Sequence, residues 1–157
     1  DAVIHTTRRS IPCQNFFACR VNSSTILETG ELVKGIFIPK PDSGSQSTYM
    51  KFRQRRSIDF PVASAAVRMD MQGERVQTAR VVLGAVAPIP IRAREAEAYL
   101  VGKTRDEALA PGTDSLALPG GRAAELALQG ASHLPENAYK IQITRAYVRR
   151  AVVSCLK

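Results

Sequence analysis

Two β-like runs, "FPVASAAVRMDM" from Phe60 and "VQTARVVLGAV" from Val76, are separated by little more than the turn "QGE" at residues 72–74. A connection that short returns the chain alongside itself, so the two runs form an antiparallel hairpin. Pro61 stands at the start of the first run, where a missing N–H is tolerated. Val76, Ala79, Val81, Leu83 and Ala85 give the second run the β-branched richness of a central strand. A third β-like run, Tyr49 to Gln54, precedes them and completes a small three-stranded antiparallel sheet.

Beyond the hairpin the chain is helical. "IRAREAEAYLVG" is a strong helix former ending at Gly102, a natural left-handed cap, and "GRAAELALQG" closes on Gly130 in the same way. "TRDEALAPGTDSLALPGG", broken by Pro111 and Pro119, reads as loop or short turns. The last helix begins near Pro135, and Ile141, Val148, Val152 and Cys155 lie on one stripe of it. Arg145 and Arg149 sit one turn apart on another face. The expected fold class is α+β, with the small sheet packed against about three helices.

Residues 1–39 differ in character. "AVIHTT" and "RSIP" form a small hairpin, and "ELVKGIFIP" is a strand with Leu32, Ile36 and Ile38 alternating before Pro39. "KPDSGSQST" then gathers loop formers. This gives a first part, 1–40, a linker, 41–48, and a second part, 49–157. The chain opens on Asp1 within a strand, so the expectation is that something precedes it in the intact gene product.

Charge and cysteine usage narrow the function classes. With 22 Lys and Arg against 14 Asp and Glu, the net charge is +8, which favours acidic partners. Five Phe, four Tyr and no Trp supply few stacking platforms for single-stranded nucleic acid. Cys13, Cys19 and Cys155 are odd in number and match neither a disulfide framework nor a zinc spacing, so a reduced cytoplasmic setting fits. No apolar run has the ~20 residues that span a bilayer.

Several chemistries are excluded by motif. "VGKT" at residues 101–104 would need glycine at position 97 to be a P-loop, and Glu97 stands there. No G-x-G-x-x-G occurs. His5 and His133 have no neighbouring Cys or acid at metal spacing, and Ser64 lacks the glycines of a nucleophile elbow. The chain carries no catalytic constellation of its own.

One cluster stands out: Lys51, Arg53, Arg55 and Arg56 lie within six residues, with Asp59 at the junction to the apolar run. It is open to three readings: a nucleic-acid patch, a solvated edge that blocks sheet-to-sheet aggregation, or the rim of an anion site. Asp59 pairs best with Arg55 or Arg56, shaping the loop.

Four motifs in order bear on that choice. They are "FF…T-x-L-x-x-x-E-L…I-x-I-P" (Phe16 to Pro39), "Y-x-K-F-x-x-R-x-x-x-D-F-P" (Tyr49 to Pro61), "V-x-L-G-A-V-A-P-x-P-I-R-A-x-x-A-E" (Val81 to Glu97) and "N-A-Y-K…A-x-V-R-R-A" (Asn137 to Ala151). Together they resemble the FAD-binding (medium) subunit of the molybdenum hydroxylases, the family of xanthine dehydrogenase and aerobic carbon monoxide dehydrogenase. The resemblance covers nearly the whole chain. It departs from the pattern at Cys19, where Gly or Ser is expected.

The resemblance implies that residues 1–40 are the final strands of a flavin-binding domain, and that 49–157 are the C-terminal domain of the flavoprotein subunit. The glycine-rich stretches that hold the flavin diphosphate come earlier in the family, so most of the FAD site would lie in an N-terminal flavin-binding half. Leu32, Val33 and Lys51 are implied as flavin neighbours, and Arg53, Arg55, Arg56 and Asp59 as the rim on the acceptor side. A fixed cation at Lys51 suits a flavin, because reduction builds negative charge on the N1–C2=O region. Arginines at the mouth suit an anionic acceptor drawn in by steering.

The implied function is electron transfer from molybdopterin, on a large partner subunit, through [2Fe-2S] centres on a small partner subunit, to FAD and an external acceptor. It involves no nucleic acid and no membrane span. The C-terminal helix, flanked by Arg145, Arg149 and Arg150, is a candidate docking surface for partner chains. The alternatives are a basic nucleic-acid-binding module, or a non-catalytic scaffold domain that has lost flavin.

Overall fold

Pairing in the long hairpin decides most of the architecture. The computed structural model describes residues 1–55, 57–112 and 118–156, and the chain divides into two compact units, Asp1–Pro41 and Asp42–Lys157.

In the first unit, β1 (Val3–Thr6) lies between β2 (Ser10–Pro12) and β5 (Val33–Phe37), both antiparallel to it, and β3 (Phe17–Arg20) pairs with β4 (Ser23–Thr25) in a separate ribbon. Ile4 and Ile11 face each other across the β1–β2 pair and bury a small core with Phe16. The segment before β5 is clamped by a buried carboxylate. Glu31 accepts from Arg9 Nε and Nη2 at 3.0 Å each, from Thr6 Oγ1 at 2.6 Å and from the Glu28 amide at 3.0 Å.

The second unit contains one four-stranded antiparallel sheet in the order β6 (Ser45–Phe52), β7 (Ala63–Gln72), β8 (Arg75–Gly84), β9 (Ile91–Arg92). Sequence reasoning expected three strands and assigned 41–48 to a linker. Strand β6 in fact starts at Ser45, because Ser45–Phe52 zips residue by residue onto Asp70–Ala63. Its polar composition is tolerated on an outer strand. Strand β9 takes two residues expected to open a helix. Pro90 disfavours helical backbone in the residue before it, and the Ala93 amide donates to the Val81 carbonyl at 2.9 Å. The turn into β9 carries Ala85 at a left-handed φ of 62°, with Lys140 Nζ donating to its carbonyl at 2.8 Å.

Helices α1 (Arg94–Leu100), α2 (Arg105–Ala108), α3 (Gly121–Ala127) and α4 (Tyr139–Cys155) cover one face of this sheet. Alternation along the strands sends Ala65, Val67 and Met69 of β7, and Ala79, Val81 and Leu83 of β8, to that face. There they bury with Ala96, Leu100, Ala108, Ala123, Ala124, Val148 and Val152. The alanines on α1 and α3 let these helices approach closely. The α2 turn, read in sequence as part of a loop, is fixed by a capping box between Thr104 and Glu107. Residues 113–117 of that expected loop lie outside the described residues.

Candidate functional site

The basic cluster begins at the end of β6 and runs into the connection to β7, residues 53–62. This loop is built from its own polar groups. The Val62 amide closes its base on the Phe52 carbonyl at 2.8 Å. Lys51 Nζ donates to the Asp59 carbonyl at 3.1 Å, and Arg53 Nη1 to the Ser57 carbonyl at 3.0 Å. Arg55 grips the Asp59 carboxylate through Nε and Nη2, at 3.1 and 3.2 Å, and the Phe60 amide donates to the same carboxylate at 3.0 Å. The Arg55 hydrogen bonds, with the Phe60 amide and the charge of Lys51 in support, hold the Asp59 carboxyl below its ordinary value. So Arg55 is the partner that shapes the loop, while Arg56 lies outside the described residues. Ile58 and Phe60, on either side of Asp59, stand fully in solvent.

Lys51 is placed by β register. Met50 and Phe52 point toward the helices, so Lys51 points to the opposite face, on which no described helix of this unit lies. Its cross-strand partner is Ser64, whose partner in turn is Gly84, giving a row Lys51–Ser64–Gly84 on that face. Ser64 is buried there, 5% exposed. A Cβ at Gly84 would lie 2.5 Å from Ser64 Oγ. Behind the strand, Phe52 meets Tyr147 of α4 edge-on with ring centroids 6.0 Å apart, and the Arg150 guanidinium lies 5.6 Å from the Tyr147 ring. The root of the loop is therefore packed against the longest helix.

The other implied flavin neighbours belong to the first unit. Leu32 and Val33 are 67% and 44% exposed, at the start of β5. Leu32 exchanges hydrogen bonds with Thr7: its carbonyl accepts from the Thr7 amide at 2.9 Å, and its amide donates to Thr7 Oγ1 at 3.2 Å. Ile36, Phe37 and Ile38 are exposed as well. Among the described residues β5 pairs only with β1, so its other edge and both its faces are open within this unit.

Sequence reasoning did not single out Ser64 or Gly84 as partners of Lys51. Only the β6–β7–β8 register joins them, and no spacing rule encodes it.

The rejected motifs are explained by their places. Val101 ends α1, Gly102 takes a φ of +81° and Thr104 caps α2, so "VGKT" is a helix-to-helix turn without a phosphate cradle. His5 Nδ1 is 2.8 Å from Ser10 Oγ, and His133 Nδ1 is 3.1 Å from the Leu134 carbonyl. No group of three His, Cys, Asp or Glu among the described residues is arranged to hold a metal. Cys155 is buried, which pushes its thiol up to about 11, while Cys13 and Cys19 are free in the first unit. Among the described residues no helix is long and apolar enough to cross a membrane.

Comparison with known proteins agrees with this architecture. Residues 47–154 match the family described as CO dehydrogenase flavoprotein C-terminal domain. The carbon monoxide dehydrogenase medium chain of Afipia carboxidovorans is 40% identical over 83 residues, which are 53% of this chain and 28% of that one. The glyceraldehyde dehydrogenase medium chain of Sulfolobus acidocaldarius is 32% identical over 101 residues, 64% of this chain and 34% of that one. Among solved structures, a chain of the carbon monoxide dehydrogenase of Hydrogenophaga pseudoflava superposes with a TM-score of 0.79 at 26% identity, covering 98% of this chain. Quinoline 2-oxidoreductase of Pseudomonas putida 86 gives 0.75 at 25% identity and 99% coverage. This chain spans about half of those solved chains, 52% in each case.

Proposed function

This chain belongs to the CO dehydrogenase flavoprotein C-terminal domain family, and we propose that it serves as part of the FAD subunit of a molybdenum hydroxylase. In that role it contributes to a flavin site and to subunit contacts in an oxidoreductase complex. Electrons would come from molybdopterin on a large partner and [2Fe-2S] centres on a small one, and leave to an external acceptor. A bound FAD would supply the two-electron chemistry. The chain's own residues supply placement and charge.

The observation that carries this reading is Lys51, a cation fixed on the helix-free sheet face by the Asp59 carbonyl. An ammonium has three N–H donors, and its neighbours across the sheet are the small residues Ser64 and Gly84. That donor set fits the polar edge of a flavin, where negative charge builds on reduction. Leu32 and Val33 offer exposed apolar side chains suited to a ring face, on a segment held by Thr7 and Glu31. Arg53, Arg55 and Asp59 form the acceptor-side rim, with Arg56 assigned to the same rim by sequence alone.

The open edge and bare faces of β5 support an N-terminal flavin-binding half as the closest partner, because an unpaired apolar edge strand is a pairing template. Three free cysteines accord with a reducing, cytoplasmic setting. A nucleic-acid role draws less support, because Lys51, Arg53 and Arg55 are turned onto groups of their own loop.

The test is a visible spectrum of the natively purified complex, with mass spectrometry of its partners. Flavin absorption near ~450 nm, iron–sulfur bands and a co-purifying large subunit are the expected result. A colourless complex that retains its partners would favour the scaffold alternative. A partnerless chain that binds DNA or RNA with steep salt dependence would replace the reading altogether.

A further inference from the structure

We propose that Arg145 anchors a docking surface on α4, where its guanidinium takes an acidic side chain of a partner subunit; this rests on the reading of the chain as part of an oxidoreductase complex. Arg145 is half-buried, and its Nε is the one buried side-chain nitrogen or oxygen among the described residues that finds no hydrogen-bond partner. A buried N–H left unpaired is destabilising, and more so on a charged group. An apolar side chain at this place would avoid that cost, so the arginine is explained by an acceptor from outside this fold. The acids of the neighbouring helices do not serve, because Glu97, Glu107 and Glu125 are committed to Arg92, Arg75 and Arg122.

The other arginines show which acceptor suits it. Arg9, Arg55, Arg68 and Arg92 each present Nε and Nη2 as a two-point edge to a carboxylate, that of Glu31, Asp59, Asp70 and Glu97 in turn. Arg145 has the same edge with its inner donor unused. Between Tyr139 and Cys155, α4 carries Lys140, Arg145, Arg149 and Arg150 and no acid. Arg145 and Arg149 are one turn apart, about 5–6 Å between Cβ atoms, where like charges repel. An anion received beside them relieves that repulsion. A phosphate site would draw on backbone N–H groups as well, but those that begin α3 next to Arg149 are already engaged. The Gly120, Gly121 and Arg122 amides donate to the carbonyls of Leu109, Leu118 and Ala110. A carboxylate needs only the arginine edge. Lys140 and Arg150 are held elsewhere, on the Ala85 carbonyl and the Tyr147 ring.

The experiment uses the natively purified complex carrying Arg145→Met, Arg145→Lys, Arg150→Met or Asp114→Asn. Subunit dissociation on dilution is followed by native mass spectrometry, and flavin content by the visible spectrum. Arg145→Met keeps the apolar stem and loses the donors, and should weaken association of the partner about thirtyfold or more. Its flavin band should stay unchanged, because α4 and Lys51 lie on opposite sides of the sheet. Arg145→Lys keeps the charge without the planar edge and should recover only part of the loss. Arg150→Met should weaken association less than about threefold. Asp114→Asn removes an acid that lies outside the described residues, and should change nothing. An Arg145→Met complex that dissociates like wild type overturns the proposal and leaves the subunit reading standing. An equal loss with Arg150→Met, which would mean general charge attraction, overturns it too. So does an equal loss with Asp114→Asn, which would assign the acceptor to this chain. If Arg145→Met loses flavin with its partner while Arg145→Lys matches wild type, the residue holds the fold and the proposal falls. A wild-type chain that purifies without partners sinks both.

Discussion

Lys51 and Asp59 are joined across the β6–β7 loop by a single hydrogen bond, from the lysine Nζ to the aspartate's backbone carbonyl at 3.1 Å, while the aspartate's carboxylate is held by Arg55. One residue thus receives two cations through two different groups, and the loop is closed from both sides. The Arg55 guanidinium is largely exposed and the Lys51 bond only part-buried, so their effect on global stability is small. Their effect on the loop is not. Asp59→Ala removes the acceptor of Arg55 and of the Phe60 amide. Amide hydrogen exchange at residues 57–60 should then accelerate about tenfold or more, in keeping with a locally opening segment, while the melting temperature stays nearly unchanged. Equal exchange in both proteins would mean that the loop is ordered by something other than this carboxylate.

Arg92 and Glu97 form the second unit's most enclosed ion pair among the described residues, with side chains 20% and 10% exposed. Glu97 also accepts from the Val81 amide at 3.0 Å, so one carboxylate ties β9, α1 and the central strand together. Removing Glu97 takes this carboxylate from the half-buried Arg92 and the acceptor from the Val81 amide. Glu97→Ala should therefore destabilise by roughly 3–5 kcal/mol. Arg92→Met combined with Glu97→Ala should lose distinctly less than the sum of the two single losses. Urea unfolding of the four proteins in a double-mutant cycle measures this, and strict additivity would deny the coupling.

This pair also marks the limit of what the sequence makes legible. The hairpin, the central strand, the helix caps at Gly102 and Gly130 and the stripe on α4 follow from period and turn chemistry, which are local. "R-A-x-x-A-E" is visible as a motif, but its cause is not local: Arg92 leaves the expected helix to pair as β9, because its guanidinium and the Ala93 amide both find partners there. Ser45 to Thr48 reads as linker from composition, and only the register to β7 makes it strand. The same holds for the site. The basic cluster can be read directly, but Ser64 and Gly84 become neighbours of Lys51 only once three strands are aligned.

Acid should loosen the first unit through Glu31. The Arg9 guanidinium hydrogen-bonded to it, with Thr6 and the Glu28 amide, lowers its carboxyl from an ordinary 4.5 to about 2. The unfolded chain takes up a proton near 4.5 and the folded chain does not, so the stabilisation is present above that pH and is lost as pH falls toward about 2. Glu31→Gln removes this window: less stable at neutral pH, but with a flatter acid limb. Heteronuclear NMR of the Ile4 and Ile11 amides in the full chain, titrated with acid, tracks it. Parallel acid limbs for the two proteins would count against the linkage.

Ala85 gives a prediction in which two effects of similar size oppose each other. Its φ of 62° places a Cβ in the left-handed region, at a cost of roughly 1–2 kcal/mol for an L-residue. Ala85→Gly relieves that strain but enlarges the unfolded ensemble, which opposes it by about 0.4–1 kcal/mol. The net is stabilisation of about 0.5–1 kcal/mol, with the Lys140 hydrogen bond to the backbone carbonyl preserved. Lys140→Met removes that bond and isolates its share. Thermal or urea unfolding decides the sign. A glycine variant clearly less stable than the parent would show that the Ala85 methyl contributes packing that outweighs the relief of strain at this turn.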